Sequence, residues 1–255
     1  MIKNERQEKL LRILSKENTM KISDLSEKLH SSMMTIRRDL DLLEEMGIVK
    51  RYHGGVTLNR TDTNQPSFYE RIEEFSNEKY AIGMEAAKFV TNGSIIFFDA
   101  GTTPLAIIEH ISDDVEFTAI TTGLLTAVAL CNKPKTNVIS IGGNIHHSSF
   151  SSVSYMSVEE IRKFHADIAF ISTKSIILPV GTYEAQLQLI DIKEAIIEVC
   201  DKVVLLVDNS KFENKSMCKA IPIEKIDLIV TDDKINRKYL SILHDLGKEV
   251  IVASV

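Results

Sequence analysis

The sequence has no apolar run long enough to cross a membrane, and only three cysteines among 255 residues. A membrane-spanning helix needs about 20 mostly apolar residues, whereas runs such as Val203 to Val207 have the length of a strand. The cysteines, odd in number and without metal-site spacing, favour free thiols in a reducing cytoplasm. The residues from Lys3 onward are charged, unlike a signal peptide. We therefore expect a cytoplasmic protein with no membrane partner.

Metal, cofactor and catalytic signatures are also missing. His146 and His147 are adjacent, so both would rarely bind one metal, and the remaining histidines lie in unrelated contexts. No Walker-type phosphate-binding sequence is present, and no general base is obviously paired with a nucleophile. The sequence thus predicts no metal, no cofactor and no catalytic residues.

The charge is unevenly distributed along the chain. Residues 1–60 contain 12 basic and 9 acidic side chains, and the remaining residues contain 18 basic and 27 acidic ones. A mildly basic N-terminal segment (residues 1–60, the head) followed by an acidic remainder (the body) is typical of a DNA-binding domain joined to a domain of another kind. The length allows two domains.

The segment Ser32 to Glu44 predicts a helix with one buried and one arginine-bearing face. Three apolar residues recur at helical spacing and should face a core: Ile36, Leu40 and Leu43. Thr35, Arg37 and Arg38 lie off that line, and Ser32 can cap the helix. Because the major groove accepts a short helix of this kind, we expect these four polar residues to contact DNA.

The flanking segments predict a winged helix-turn-helix. Glu5 to Leu14 favours a first helix. Ile22 to Leu29 favours a second one, with Ser23 as the N-cap and Ser26 or Glu27 at the start of the helix proper. Ile48 to Thr57 predicts two strands around a Gly-Gly turn, from which Arg51 and His53 could contact phosphates. The alternative for the arginines of the third helix, a solvated face paired with neighbouring acids, is disfavoured by this context.

The rest of the chain favours an α/β domain. Short apolar strands alternate with helices from Ile95 to Val252, which predicts a mostly parallel sheet covered on both faces. The predicted domains are 1–58 (winged helix-turn-helix), 59–67 (polar linker) and 68–255 (sensing and oligomerisation). Asn144 to Ser157 has no clear period and is predicted to be a loop.

Glycine, threonine, lysine and aspartate recur where the predicted strands end. In open α/β sheets this edge binds ligands, and helix N-termini there favour anions. Each residue alone has a plain alternative, such as a helix cap or a solvated lysine. Together they predict a site for a small polyhydroxylated anion such as a sugar phosphate. The candidate ligand residues are Asp99, Gly101, Thr102, Thr103, Thr121, Gly142, Gly143, Lys174, Lys193, Asp208 and Lys211.

The chain resembles the DeoR family of bacterial transcription regulators. The head carries the motif at Thr35 to Leu40, preceded by Ser32, and a second motif at Arg51 to Gly55. The body carries further matches, at Asp99 to Thr103, Ile141 to Gly143, Ala166 to Phe170, Lys193 and Asp208 to Phe212. Thr122, Gly123, His146, His147 and Ser175 depart from the family pattern.

This resemblance implies a sensor domain similar in fold to ribose-5-phosphate isomerase and CoA transferases. It also implies a repressor of a sugar-metabolism operon that binds double-stranded operator DNA, is controlled by a phosphorylated sugar, and forms a homodimer or homotetramer. Two alternatives stay open: an isomerase- or transferase-like enzyme acting on sugar phosphates, and a regulator whose C-terminal domain only oligomerises.

Overall fold

The computed structural model describes residues 5–17, 19–45, 48–52, 54–58, 66–212 and 216–255. The chain divides into two compact units, Met1–Glu74 and Phe75–Val255. In these described ranges no helix is both long and apolar enough for a membrane span.

The first unit combines four helices with a three-stranded antiparallel sheet. In chain order its elements are α1 (Glu5–Glu17), β1 (Thr19–Lys21), α2 (Ile22–Lys28), α3 (Met33–Glu45), β2 (Val49–Tyr52), β3 (Gly55–Leu58) and α4 (Phe68–Glu73). Strands β2 and β3 form a hairpin, and β1 pairs with the other edge of β3. The winged helix-turn-helix prediction is therefore confirmed, with β1 as an additional strand.

The core of this unit lies between the helices and the hairpin. Ile36, Leu40 and Leu43 are fully buried as predicted, and they pack with Leu10 and Leu25 of the other two helices. Because these residues recur every three or four positions, each helix places one face in the core.

Two local details of the head differ from the sequence expectations. Ser23 does not cap α2, because β1 leads directly into the helix and Lys21 occupies the N-cap position without a side-chain hydrogen bond. The segment after the predicted linker begins with α4, which is capped by Ser67 and Glu70 and belongs to the first unit. Residues 59–65 of the predicted linker, as well as Gly47 and His53, lie outside the described residues.

The second unit is built on a seven-stranded parallel sheet. In chain order its elements are α5 (Ser76–Ala87), β4 (Ile95–Phe98), α6 (Thr102–Ile107), β5 (Phe117–Thr121), α7 (Leu124–Leu130), β6 (Thr136–Ser140), β7 (Ile145–His146), β8 (Ser151–Ser152), α8 (Tyr155–Ile161), β9 (Ala166–Ile171), β10 (Ser175–Ile177), β11 (Gly181–Glu184), α9 (Leu187–Glu198), β12 (Cys200–Leu206), β13 (Cys218–Pro222), β14 (Leu228–Asp232), α10 (Arg237–Asp245) and β15 (Glu249–Ala253). The order in the large sheet is β15-β14-β12-β9-β4-β5-β6, with every neighbouring pair parallel.

Both faces of this sheet are buried, as its apolar strands predict. Phe97 of β4 belongs to the hydrophobic cluster on one face, and Ile96 and Phe98 belong to the cluster on the other. The α/β fold class is confirmed.

Two smaller sheets were not anticipated from the sequence. Strands β10, β11 and β13 form an antiparallel sheet, and β7 and β8 form a short hairpin. The prediction of a loop over Asn144 to Ser157 is therefore wrong in part, since that segment contains this hairpin and the start of α8. The three cysteines are free thiols.

Candidate nucleic-acid interface and ligand site

The start of α3 is fixed by Ser32, as the sequence predicts. The Ser32 Oγ accepts a hydrogen bond from the backbone N–H of Thr35 at 3.2 Å, and its carbonyl accepts from Ile36 at 3.0 Å. The hydroxyls of Ser32 and Thr35 lie 2.8 Å apart. This cap leaves Ser32 exposed at the first turn of the helix.

Arg37 and Arg38 are both exposed on α3. In the part of the chain that the structure describes, neither guanidinium forms a salt bridge. Asp39, the next residue, points into the domain instead and is buried. Its carboxylate accepts from Arg6 Nε at 2.5 Å and from the Gln7 amide at 3.2 Å. The two arginines are therefore available to an external anion.

The second acid of this helix, Asp41, pairs with Arg51 of the wing. The backbone N–H of Arg51 also donates to the Glu44 carboxylate at 3.0 Å. Arg51 is thus predicted to contact DNA but is held by α3 in this structure, whereas Ser32, Thr35, Arg37 and Arg38 lie together on one helix.

A buried ionic cluster occupies the carboxyl end of β4. The Asp99 carboxylate accepts hydrogen bonds from Lys193 Nζ and from the backbone N–H of Ser172, the latter at 3.1 Å. Lys193 also donates to the Ser172 carbonyl at 2.7 Å, and its Nζ lies 3.5 Å from Glu184. Asp99, Lys193 and Glu184 are all buried. Two residues predicted as ligands, Asp99 and Lys193, are therefore brought into direct contact.

Burial and charge act against each other in this cluster. Burial disfavours the ammonium of Lys193, but the negative charges of Asp99 and Glu184 outweigh it and raise the pKa of Lys193. Burial, together with the nearby Asp99, raises the pKa of Glu184 against the opposing effect of Lys193. The surrounding acids therefore favour the ammonium of Lys193, while burial favours the protonated form of Glu184.

Sequence reasoning missed Glu184 and Ser172. Glu184 ends a short strand of the small antiparallel sheet, which has no clear sequence signature, so nothing pointed to it. Ser172 directly follows β9 and lies two residues before Lys174, which the sequence analysis singled out because ligands bind where parallel strands end. Extending that rule by one residue would have found Ser172.

The loop from Asp99 to α6 fits tightly against the neighbouring strand end. A side chain at Gly101 would collide with the Ser172 hydroxyl. Thr102 and Thr103 are buried in the first turn of α6. The Thr121 hydroxyl donates to the Phe98 carbonyl at 2.7 Å, so its proton is already used by the backbone.

The remaining predicted ligand residues form separate contacts. The Gly142 N–H donates to Glu160 at 3.3 Å, and Gly143, at φ 148°, approaches the side chains of α8. Asp208 is fully buried, with Lys211 Nζ 3.7 Å from its carboxylate. Lys174 is exposed, while its backbone N–H hydrogen-bonds to Glu184.

Some buried polar atoms near these strand ends have no hydrogen-bond partner within the described ranges. They are the Thr122, Ser175 and Thr231 hydroxyls and one Asp208 oxygen. A cavity of about 430 Å³ lies between α8 and α9, lined by residues that include Asn144, Arg162 and Asp191, and its lining contains none of the predicted ligand residues. Among the residues that the structure describes, no group of three or more histidine, cysteine and acidic side chains could hold a metal ion.

Models of known protein families match both units of the chain. The family model for the DeoR-like helix-turn-helix domain matches residues 6–62, and the model for the DeoR C terminal sensor domain matches residues 74–233. The HTH-type transcriptional regulator GolR of Listeria innocua is 34% identical over 98% of both chains. The glycerol-3-phosphate regulon repressor of Escherichia coli K12 is 28% identical over 91% of this chain and 92% of its own.

A likeness to solved structures concerns the fold only. Ribose 5-phosphate isomerase A of Methanocaldococcus jannaschii overlaps 54% of this chain and 55% of its own at 15% identity, with a TM-score of 0.41. The two family models, by contrast, cover well over half of the chain. The chain therefore belongs to the DeoR family of transcriptional regulators.

Proposed function

We propose that this protein is a cytoplasmic repressor of a sugar-metabolism operon. A phosphorylated sugar or a related metabolite controls the affinity of the repressor for DNA. The head binds double-stranded operator DNA through Ser32, Thr35, Arg37 and Arg38. Arg51 and His53 of the wing contact the phosphate backbone. The observation that carries this proposal is that two exposed arginines on α3 form no salt bridge with any described residue, while the neighbouring acids Asp39 and Asp41 pair with other arginines.

Exposed and unpaired guanidiniums suit both tasks of a recognition helix. An arginine donates two parallel hydrogen bonds to the O6 and N7 atoms of guanine, and each such pair discriminates by about 1–3 kcal/mol. Arginines that neutralise phosphates release counterions, so affinity should fall steeply with added salt. Because the head carries only a small basic excess, we expect a homodimer or homotetramer to supply the contacts for tight binding.

The ligand proposal depends on the polar strand ends of the second unit. Lysines at these strand ends and the amides near Gly101 would hold a phosphate, and Asp99 and Asp208 would accept hydrogen bonds from sugar hydroxyls. The unpartnered polar atoms at these strand ends support a polar ligand, since buried hydroxyls rarely stay without a partner. The relative named for the glycerol-3-phosphate regulon supports the same class of compound.

The test measures DNA and ligand binding on the full chain. Duplexes are selected from a randomised pool, and affinity is measured by fluorescence anisotropy with and without ribose 5-phosphate, fructose 6-phosphate or glycerol 3-phosphate. Inorganic phosphate and free ribose serve as controls. We expect one phosphorylated compound to change DNA affinity by about 5–150-fold and to stabilise the protein by ~2.7 kcal/mol at 100 times its Kd.

A Gly101→Ala variant provides the matched control, because the new methyl group displaces the Ser172 hydroxyl from Asp99. It should keep DNA binding and lose the response to the ligand. A protein that binds DNA but responds to no compound in melting or affinity would instead be a regulator whose second unit only oligomerises.

Enzymatic turnover is the alternative that Glu184 favours. A buried carboxyl with a raised pKa next to a lysine has the properties of a general acid or base. The full chain incubated with ribose 5-phosphate distinguishes the two functions. We expect no change in the sugar phosphate, and turnover abolished by Glu184→Gln would establish the enzyme.

A further inference from the structure

The first turn of α3 exposes two methionines. Met33 is 50% exposed and Met34 is 69% exposed. Single apolar side chains on a surface are ordinary, but these two are consecutive and lie at the start of the helix proposed to enter the groove.

The helical spacing places these side chains next to the arginines. Met34 precedes Arg37 by three residues and Arg38 by four, and Met33 precedes Arg37 by four. Residues three and four apart are neighbours on a helix surface, so the methionines and arginines form one continuous surface. Ile36, two residues from both Met34 and Arg38, lies on the face opposite to them and is fully buried in the core, so these two side chains point away from the core.

The chemistry of this surface is mixed. The arginines can donate hydrogen bonds to guanine or phosphate, whereas the thioether side chains offer only apolar contact. In the major groove, the apolar group at a base edge is the 5-methyl of thymine. Methionine is flexible and polarisable, and it adapts its shape to such a group. In helix-turn-helix proteins, residues near the N-terminus of the recognition helix contact base edges.

We propose that Met33 and Met34 are specificity-determining residues that read thymine methyl groups beside the bases contacted by Arg37 and Arg38. This inference rests on the proposed DNA binding by α3. Met34, the more exposed of the two, makes the main contact. The operator half-site therefore contains at least one thymine whose methyl group, and not its hydrogen-bonding edge, is recognised.

The test removes one methyl group at a time from the DNA. In a duplex selected from a randomised pool by the wild-type chain, each thymine is replaced in turn by uracil, which retains the hydrogen-bonding groups. Loss of one buried methyl should lower wild-type affinity about fourfold. In Met34→Ala the same replacement should have no further effect on affinity. In Met33→Ala its effect should be smaller than in the wild type but still present.

Leu42→Ala is the matched control, because Leu42 is 51% exposed near the other end of α3. It should retain the wild-type response to uracil. Thermal melting checks that the variants fold, which we expect because the truncated side chains are exposed.

The outcomes separate this inference from DNA binding itself. If the wild type selects a duplex but no thymine responds to uracil, or if the methionine variants keep the full response, the methionine proposal is overturned while DNA binding stands. If the wild type selects no duplex, or if Arg37→Ala and Arg38→Ala bind the selected duplex as the wild type does, the proposed function fails and this inference fails with it.

Discussion

Asp39 and Arg6 form an ion pair between the third and first helices of the head, with the carboxylate 2.5 Å from the Arg6 Nε atom. Asp39 immediately follows the two exposed arginines in sequence, yet its side chain is buried on the other face of the helix. The contact thus has two consequences. It joins α3 to α1, and it keeps one negative charge away from the surface proposed to meet DNA.

Asp39→Ala should loosen the head. The substitution removes the buried carboxylate that accepts hydrogen bonds from Arg6 and from the Gln7 amide, and a hydrogen bond to a charged group contributes about 1.5–3 kcal/mol. Hydrogen exchange of the α1 and α3 amides measures the effect. Glu45→Ala is the control, since Glu45 is exposed on the same helix and should cost less than about 0.5 kcal/mol. Equal protection in both variants would contradict a role for Asp39 in joining the helices.

Asp41→Asn should strengthen DNA binding by a few fold at low salt. The variant releases Arg51 from its ion pair and removes a negative charge near the proposed interface. An exposed pair contributes about 0.2–1 kcal/mol, which limits the gain to roughly fivefold. Glu45→Gln removes one charge without releasing an arginine. If both variants gain equally, net charge alone explains the change and Arg51 has no separate contribution to binding.

Lys193→Met should strongly destabilise the second unit. It leaves the Asp99 carboxylate buried without its cation, and breaking a buried pair from one side costs about 3–5 kcal/mol. The double variant Asp99→Asn with Lys193→Met removes both charges and should recover part of the loss. Chemical denaturation measures both proteins. A single variant as stable as wild type would show that the pair is not buried in solution.

Glu184→Gln should change how stability depends on pH. Burial raises the pKa of Glu184 above its ordinary value of 4.5, so the folded protein binds this proton more tightly than the unfolded chain. The contribution of Glu184 is therefore greatest at low pH and is lost as the pH rises above 4.5 towards the raised pKa.

Thermal melts of Glu184→Gln and wild type across that range test this sign. The melting temperature of the variant, relative to wild type, should rise with pH. Glu198→Gln, which changes an exposed acid paired with Arg162, should not show this trend. Parallel curves for Glu184→Gln and wild type would contradict a raised pKa.

Local patterns predicted the head well because its signals are short-range. The apolar spacing of Ile36, Leu40 and Leu43 fixes the buried face of α3, and Ser32 caps the helix from an adjacent position. The burial of Asp39 and its ion pair with Arg6 could not be predicted in this way. Its partner Arg6 lies 33 residues away, and the choice between Arg6 and the adjacent arginines depends on how the two helices pack.

The candidate ligand site shows the same division between local and distant information. The parallel sheet follows from its apolar strands, and the rule that ligands bind at strand ends located Asp99. The contact between Asp99 and Lys193 spans 94 residues, and Glu184 comes from a small antiparallel sheet that has no sequence period. Only the fold brings these three side chains together, so the sequence predicted some members of the cluster but not their pairing.

The affinity of the full chain for a duplex selected from a randomised pool tests the central claim most directly. It is compared among wild type, Arg37→Ala, Arg38→Ala and Arg237→Ala, the last removing an exposed arginine from α10. We predict that each α3 variant loses about 5–150-fold in affinity, with Arg38→Ala losing all specific protection in footprinting, while Arg237→Ala binds like wild type. Retained affinity and protection in both α3 variants would contradict the assignment of α3 as the recognition helix.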